Sequence, residues 1–205
     1  MNLPELTLPQ MLRERAKSDA ARLAIRQKDF GIWKPFTWAD YHRRASAFGL
    51  GLAALGVPTG GHVGVLSENR IEWVLAQMGA GLIEDQEQTD KLLQARANLP
   101  ALRKIVVMET KGLRSFTPEE RALIIPFAEV EQLGAASLAQ ATIDAALAAQ
   151  TLDDIGLIIY TSGSTGKPKG AMLSWRNIRG VVPGIVERLQ LHRDSSHLSY
   201  LPLCH

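Results

Sequence analysis

The residues best suited to chemistry in this sequence are the ten consecutive positions 161–170, TSGSTGKPKG. Their glycines allow positive φ angles, with which backbone N–H groups can approach an anion closely. Their hydroxyl groups can donate to phosphate oxygens, and their lysines add positive charge. The glycine, hydroxyl and lysine residues of this segment are Thr161, Ser162, Gly163, Ser164, Thr165, Gly166, Lys167, Lys169 and Gly170. Fixed donors and cations stabilise a triphosphate and its departing pyrophosphate, so the sequence predicts a phosphate-binding loop.

This loop must be positioned by the elements on either side of it. The preceding run, 155–160, is nearly all apolar and has the length of a strand. Ser174 is suited to cap a helix beyond the loop. We therefore expect a strand, an exposed loop over 161–170 and a helix that begins near Ser174. An ordinary surface turn is the alternative, although a plain turn has no need of so many converging donors.

The loop differs from that of ordinary P-loop nucleotide hydrolases. Their motif requires a Ser or Thr hydroxyl directly after the lysine, where it binds the metal. Pro168 stands at that position here, after Lys167. The sequence therefore disfavours a P-loop phosphotransferase.

The rest of the chain alternates helix-like and strand-like segments, a pattern typical of an α/β fold. Capping residues and apolar spacing predict five helices, which start after Thr7, at 38 (ending before Gly56), near 71, at 84 and at 137. A hairpin is predicted over 22–38 with its turn at Lys28 and Asp29, and further strands over 62–67 and 102–108. Residues 111–126 are predicted to be irregular surface structure.

Composition and charge exclude some functions. The net charge of +2 is spread along the chain, without the basic block that nucleic-acid binding requires. The longest uncharged apolar stretch, 45–57, is shorter than the roughly 20 residues that span a bilayer, and the chain start does not resemble a secretory signal. A single cysteine, Cys204, fits a reducing compartment. We therefore expect a cytoplasmic location, with peripheral membrane contact left open.

Several conspicuous residues have ordinary structural interpretations. Trp33, Trp38 and Trp73 are predicted to anchor the core or the hairpin. Asp153 and Asp154 precede a buried strand without further ligands at metal spacing, which favours a turn over a metal site.

The segment YTSGSTGKPKG resembles the signature loop of the adenylate-forming superfamily, which includes acyl-CoA synthetases, firefly-type luciferases and adenylation domains of peptide synthetases. Stretches such as GIWKPFTWADYHRRASAFGLGLAALGV and LSYLPLCH resemble its long-chain fatty acyl-CoA synthetase branch. The resemblance implies an α/β fold with incomplete sheets and flanking helices. It also implies a reaction of a fatty acid with ATP to give acyl-AMP and pyrophosphate, followed by thioester formation with CoA.

The resemblance also implies roles for particular residues. The loop 161–170 would hold the β- and γ-phosphates of ATP, with Thr161 nearest to Mg²⁺. His205 closes the LPLCH motif, and it would position the substrate carboxylate or gate its pocket. A partly buried structural histidine is an equal alternative.

The chain departs from the family pattern at two places. The family continues far beyond LPLCH, and it has about one more βαβ unit, a unit of ~30 residues, where Ile83 meets Glu84. We therefore expect 1–83 and 84–205 to be two parts of an incomplete amino-terminal domain, without the carboxy-terminal domain and inactive alone. The alternatives are a non-catalytic nucleotide-binding paralogue, truncated or degenerate, or an adenylate-forming enzyme with a different acid.

Overall fold

The computed structural model describes residues 5–58, 60–61, 63–64, 70–79, 93, 96–100, 102–108, 116–137, 140–161 and 169–198. The α-helices in these ranges are α1 Leu8–Ser18, α2 Trp38–Ala54, α3 Ile71–Gly79, α4 Pro118–Leu123, α5 Phe127–Ala136, α6 Gln140–Ala149, α7 Trp175–Gly180 and α8 Val182–Arg188. The strands are β1 Leu23–Asp29, β2 Ile32–Thr37, β3 Ile105–Val107, β4 Ile124–Pro126, β5 Ile155–Thr161 and β6 Lys169–Ser174. A 3₁₀ turn covers Arg96–Asn98.

The described strands form three two-stranded sheets. Strands β1 and β2 pair antiparallel, β3 and β4 pair parallel, and β5 and β6 pair antiparallel. Helices pack around these small sheets, which confirms the predicted α/β class with incomplete sheets.

Four helices begin with a reciprocal capping box, in which the cap side chain and a side chain three residues later bond each other's backbone N–H groups. Thr7, Thr37 and Ser174 cap α1, α2 and α7, as their positions in the sequence predicted. Helix α2 then ends at Ala54, and Gly56 adopts a positive φ of 84° after it, as expected for a helix-stopping glycine. Local sequence signals thus fix these helix ends.

The predicted hairpin turn at Lys28 and Asp29 is wrong. Both residues belong to β1, and the turn consists of Phe30 and Gly31, with φ angles of 45° and 85°. Two successive positive φ angles define a type I′ turn, whose twist matches that of the two strands. Gly31 adopts this conformation without steric cost. The turn therefore forms at the residue pair that includes this glycine.

The prediction for 111–126 is also wrong where residues are described. Residues 118–126 form helix α4 and then strand β4, which pairs with β3. Thr117 caps α4 through Glu120, and Pro118 stands in the first turn, where its missing N–H costs nothing. These signals were present in the sequence and outweighed the turn formers nearby.

Other boundaries are narrower than predicted, or fall outside the described residues. The strand predicted over 102–108 covers only Ile105–Val107, and the helix predicted over 137–150 covers Gln140–Ala149. Helix α5, before it, was not predicted. The strand at 62–67 and the helix beginning at 84 lie largely outside the described residues.

The main core forms where α2 crosses α5, with α1 and α3 packed alongside. Phe48 of α2 stacks on Phe127 of α5 with ring centroids 4.6 Å apart, and both rings are buried. Arg44 forms a bidentate ion pair with Glu131 at 2.8 and 2.9 Å beside these rings. Because α5 follows β4 directly, this packing also holds the parallel pair of strands against the core.

Buried polar groups connect distant parts of the chain. The Gln10 amide donates to the carbonyl oxygen of Leu147 at 2.6 Å, which joins α1 to α6. Asp19, whose side chain is only 3% exposed, accepts from Arg15 at 2.8 Å and from Arg193. Hydrogen bonds from Arg15, and then from Arg193, hold the pKa of the Asp19 carboxyl below its ordinary value. The segment after α8 is thereby attached to α1.

Candidate functional site

The predicted phosphate-binding loop connects β5 and β6. The strands pair in register from Leu157 opposite Leu173 to Thr161 opposite Lys169, so the intervening residues 162–168 form the connection of an antiparallel hairpin. Residues directly opposite in such a pair have Cα atoms about 4.5 to 5.5 Å apart. The first hydroxyl residue and the last lysine of the motif are therefore neighbours across the base of the loop.

The strands extend further into the motif than predicted. Thr161 ends β5, and Lys169 and Gly170 begin β6, so these three residues are not part of an irregular loop. The antiparallel ladder between the two strands continues as far as the pair of Thr161 and Lys169. The helix predicted near Ser174 is confirmed as α7.

The other predicted site residues lie outside the described residues. They are Ser162, Gly163, Ser164, Thr165, Gly166, Lys167 and His205. Their assignments remain predictions from the sequence, as does the contact of Thr161 with Mg²⁺.

Gly170 lies in close contact with side chains of β5. A Cβ atom at this position would lie 3.1 Å from Cγ2 of Ile158 and 3.3 Å from Cζ of Tyr160. Gly170 lies opposite Tyr160 in the ladder, so both are on one face of the hairpin. Lys169, the residue before Gly170, extends from the opposite face and is exposed. The hairpin thus presents a cation at the base of the loop.

The end of the hairpin opposite the loop is fixed by Trp175. Its indole is buried against Gly156, where a Cβ atom would be 2.6 Å from the ring. The backbone N–H of Trp175 donates to the Asp154 carbonyl at 3.1 Å, and that of Arg176 donates to the Leu152 carbonyl at 2.8 Å. The start of α7 is therefore bonded to the residues just before β5, which ties the hairpin to this helix at the end away from the loop.

The acidic pair before β5 takes part in this support. Asp153 accepts a bidentate pair of hydrogen bonds from Arg176 at 2.8 and 3.0 Å, and Arg176 holds the pKa of Asp153 below its ordinary value. Asp154 accepts from the backbone N–H of Thr151 at 2.8 Å and from its hydroxyl at 3.0 Å. The turn interpretation of both aspartates is confirmed. Among the described residues, no group of three or more His, Cys, Asp or Glu side chains could hold a metal.

The tryptophans predicted as anchors differ in their surroundings. Trp73 is buried, and Trp38 stacks on Tyr41 with centroids 6.3 Å apart. Trp33 lies on the β1–β2 hairpin, where it is 52% exposed. Sequence reasoning did not single out Trp175, the tryptophan that supports the site. Its position directly after the Ser174 cap was the available signal.

Residues 12–205 match the family described as AMP-binding enzyme, and the chain belongs to that family.

The curated relatives include long-chain acyl-CoA ligases. The long-chain-fatty-acid–CoA ligase ACSBG2 of Xenopus laevis is 27% identical over 238 residues, which cover 100% of this chain and 31% of the relative. The fatty acyl-CoA synthetase A of Dictyostelium discoideum is 29% identical, and the alignment covers 97% of this chain and 34% of the relative. The chain therefore spans about a third of the length of these relatives.

Solved structures support the fold. A fatty acyl-adenylate ligase from Legionella pneumophila, in complex with acyl adenylate and pyrophosphate, gives a TM-score of 0.70 at 20% identity, covering 97% of this chain and 36% of that one. The o-succinylbenzoate CoA synthetase of Bacillus subtilis gives 0.64 at 22% identity, covering 96% and 50%. The described elements thus match part of the fold of these enzymes.

No helix among the described residues is long and apolar enough to cross a membrane.

Proposed function

We propose that this chain supplies the ATP-binding hairpin of an AMP-forming acid–CoA ligase that acts on long-chain fatty acids. The observation that carries the proposal is the register of β5 and β6, which places Thr161 opposite Lys169 at the base of the loop. The loop sequence between them is rich in hydroxyl groups and glycine, and it contains Lys167. An anion bound in such a loop meets backbone donors, hydroxyl donors and cations together.

The proposed chemistry is charge stabilisation. A carboxylate oxygen attacks the α-phosphorus of ATP. The bond between that phosphorus and the oxygen linking it to the β-phosphate breaks, so that acyl-AMP forms and pyrophosphate leaves. Lys167 and Lys169 offset the charge that accumulates on pyrophosphate. Mg²⁺ enters with ATP as part of the substrate, with Thr161 as the proposed nearest hydroxyl. The CoA thiol then displaces AMP to give the thioester.

The acid is proposed from the curated relatives, whose names specify long-chain fatty acids. Because the chain spans about a third of their length, the complete reaction is proposed for a protein of that length. The cytoplasmic location remains a proposal that rests on Cys204.

We also propose that a segment is missing at the junction of Ile83 and Glu84. The stretch aligned with the Xenopus relative is 238 residues long, whereas this chain has 205. The difference between these two lengths is close to the length of one βαβ unit, which is roughly 30 residues. Sequencing the transcript and the gene across codons 83 and 84 tests this proposal, because an intervening coding segment should be found there.

Binding of MgATP to the 205-residue chain tests the nucleotide role. Lys169→Ala should weaken ATP and inorganic triphosphate binding by about tenfold or more, since it removes a charge-assisted contact. AMP, which lacks the terminal phosphates, should bind the variant and the parent chain equally. Lys17→Ala removes an exposed lysine of α1 and serves as the matched control. Equal losses for ATP and AMP, or no loss for either, would contradict the proposal.

The acid specificity needs a separate assay. Pyrophosphate exchange and thioester formation should be measured with acids of increasing chain length, using the longer protein if the gene supplies one. Long-chain acids should be preferred over short and aromatic acids. For the 205-residue chain alone we expect no thioester.

A further inference from the structure

Large apolar side chains are exposed at the tip of the β1–β2 hairpin. Phe30 is 93% exposed and Ile32 is 69% exposed, and the half-exposed Trp33 follows directly. Clustered exposure of this kind marks interaction surfaces more often than isolated exposed apolar residues do.

The turn itself does not require an aromatic residue. Phe30 has a φ of 45° at the first central position of a type I′ turn, where Asn, Asp and Gly are preferred. Bulky side chains rarely adopt this conformation. The conformational preference of the turn therefore does not favour phenylalanine at position 30.

Positive charge lies beside the apolar tip. Lys28 pairs with Trp33 across the ladder, and its Nζ lies 5.8 Å from the centroid of the indole ring. Arg26, two residues before Lys28 on the same face, is exposed as well. Lys34 is adjacent to Trp33 in β2 and therefore points to the opposite face, where it forms an ion pair with Asp29. The face that carries Trp33 is thus cationic, whereas Ile32 lies on the opposite face of the hairpin, next to Asp29.

The base of the hairpin is held firmly. The Gln27 side-chain oxygen accepts from the Ile71 backbone N–H at 2.5 Å, and Phe36 packs against the main core. Thr37 ends β2 and caps α2 directly. The tip consequently projects from a fixed base.

We propose that this tip docks on the surface of an anionic phospholipid bilayer. Phe30, Ile32 and Trp33 enter the headgroup region, a depth at which tryptophan is enriched in membrane proteins. Arg26 and Lys28 contact lipid phosphates, and each basic residue near an anionic leaflet adds attraction. A second copy of the chain is a poorer occupant, because the two cationic faces would repel each other.

Vesicle binding tests the proposal with the full chain. The chain should bind vesicles of phosphatidylcholine containing roughly 30% phosphatidylserine, and bind much less to pure phosphatidylcholine. Phe30→Asn suits the type I′ turn better than phenylalanine, so the hairpin should keep or gain stability while vesicle affinity falls by about tenfold or more. Lys28→Glu should lower the affinity as well. Ile185→Ser replaces an exposed apolar residue of α8 and should leave the affinity unchanged.

A spectroscopic measurement identifies the residue that enters the lipid. Brominated acyl chains should quench tryptophan fluorescence of the parent chain, whereas Trp33→Phe should retain binding and lose most of the quenching. Trp73 and Trp175 are buried and should be shielded. MgATP binding should be the same in all hairpin variants, so this result is independent of the proposed nucleotide role. Absence of binding to anionic vesicles, or equal binding by Phe30→Asn and the parent chain, would overturn the proposal.

Discussion

Gly134 lies against Ala47 so closely that a Cβ atom on Gly134 would overlap the carbonyl oxygen of Ala47. The same atom would be 2.6 Å from the amide nitrogen of Gly51. Both neighbours are backbone atoms of α2, which cannot rotate away as a flexible side chain can. The crossing of α2 and α5 thus depends on a glycine at position 134.

Gly134→Ala should therefore destabilise the fold. Overpacking of this kind costs about 1 to 3 kcal/mol, although alanine is intrinsically the better helix former. Thermal or urea denaturation of the purified chain measures the difference. The control is Gly184→Ala in α8, where an added Cβ would have no neighbour within 4 Å. That variant should be neutral or slightly more stable, and equal effects of the two substitutions would contradict the packing argument.

Gly156→Ala should displace the indole of Trp175 and loosen the hairpin that supports the loop. The added methyl group would lie 2.6 Å from the ring, so either the ring or β5 must move. Replacing Trp175 with leucine in the same chain should relieve the overlap. A double-mutant cycle should then give a coupling energy of roughly 0.5 to 3 kcal/mol. Additive losses would show that Gly156 and Trp175 do not constrain each other.

Asp19→Asn should lower the melting temperature, because Arg15 and Arg193 lose their shared carboxylate partner. The pKa of Asp19 is held below its ordinary 3.8, so the stabilisation is present above that value and is lost as the pH falls through the lower folded-state pKa. The difference between parent and variant should consequently shrink below about pH 4. Asp29→Asn, at an ion pair on the hairpin surface, should change the melting temperature little.

His42 should make the fold sensitive to mild acid. Burial, followed by the positive charge of Arg13, lowers its pKa below the ordinary 6.5. Lys17 lowers the pKa further, and Asp144 raises it. Between this lowered pKa and 6.5 the unfolded chain binds more protons, so stability should decrease as the pH falls through this interval.

His42→Gln removes the titrating group and should flatten this part of the stability profile. The measurement is the free energy of unfolding at a series of pH values from neutral to mildly acidic. An unchanged slope in the variant would assign the acid sensitivity to another group. Nε2 of His42 is buried without a hydrogen-bond partner among the described residues, so the substitution replaces no bond at that atom.

Local signals allowed much of the fold to be predicted from the sequence. Thr7, Thr37 and Ser174 cap helices because their hydroxyl groups satisfy N–H groups only three residues away, an interaction that sequence spacing reveals. The apolar run before Thr161 identified β5. The capping box of Thr117 and Glu120 is equally visible in the sequence, whereas the turn formers nearby wrongly indicate irregular structure.

Interactions between distant residues were not predictable in the same way. The parallel pairing of Ile105 with Ile124, and the contact of Gly156 with Trp175, depend on how segments fold back on each other. A sequence shows each partner but not their proximity. For the predicted phosphate-binding loop, the sequence supplies the candidate residues, and the structure adds the register that places Thr161 opposite Lys169.

The bond between Arg193 and Asp19 joins residues 174 positions apart, whereas the helix caps join residues three apart. Closing so long a chain segment has a large entropic cost, and contacts of this kind tend to form late in folding. The bond should therefore be absent from the transition state for folding. If so, Asp19→Asn accelerates unfolding and leaves the folding rate nearly unchanged. The attachment of the last described segment to α1 then acts mainly as a kinetic barrier, which sets how long the folded chain persists rather than how fast it forms.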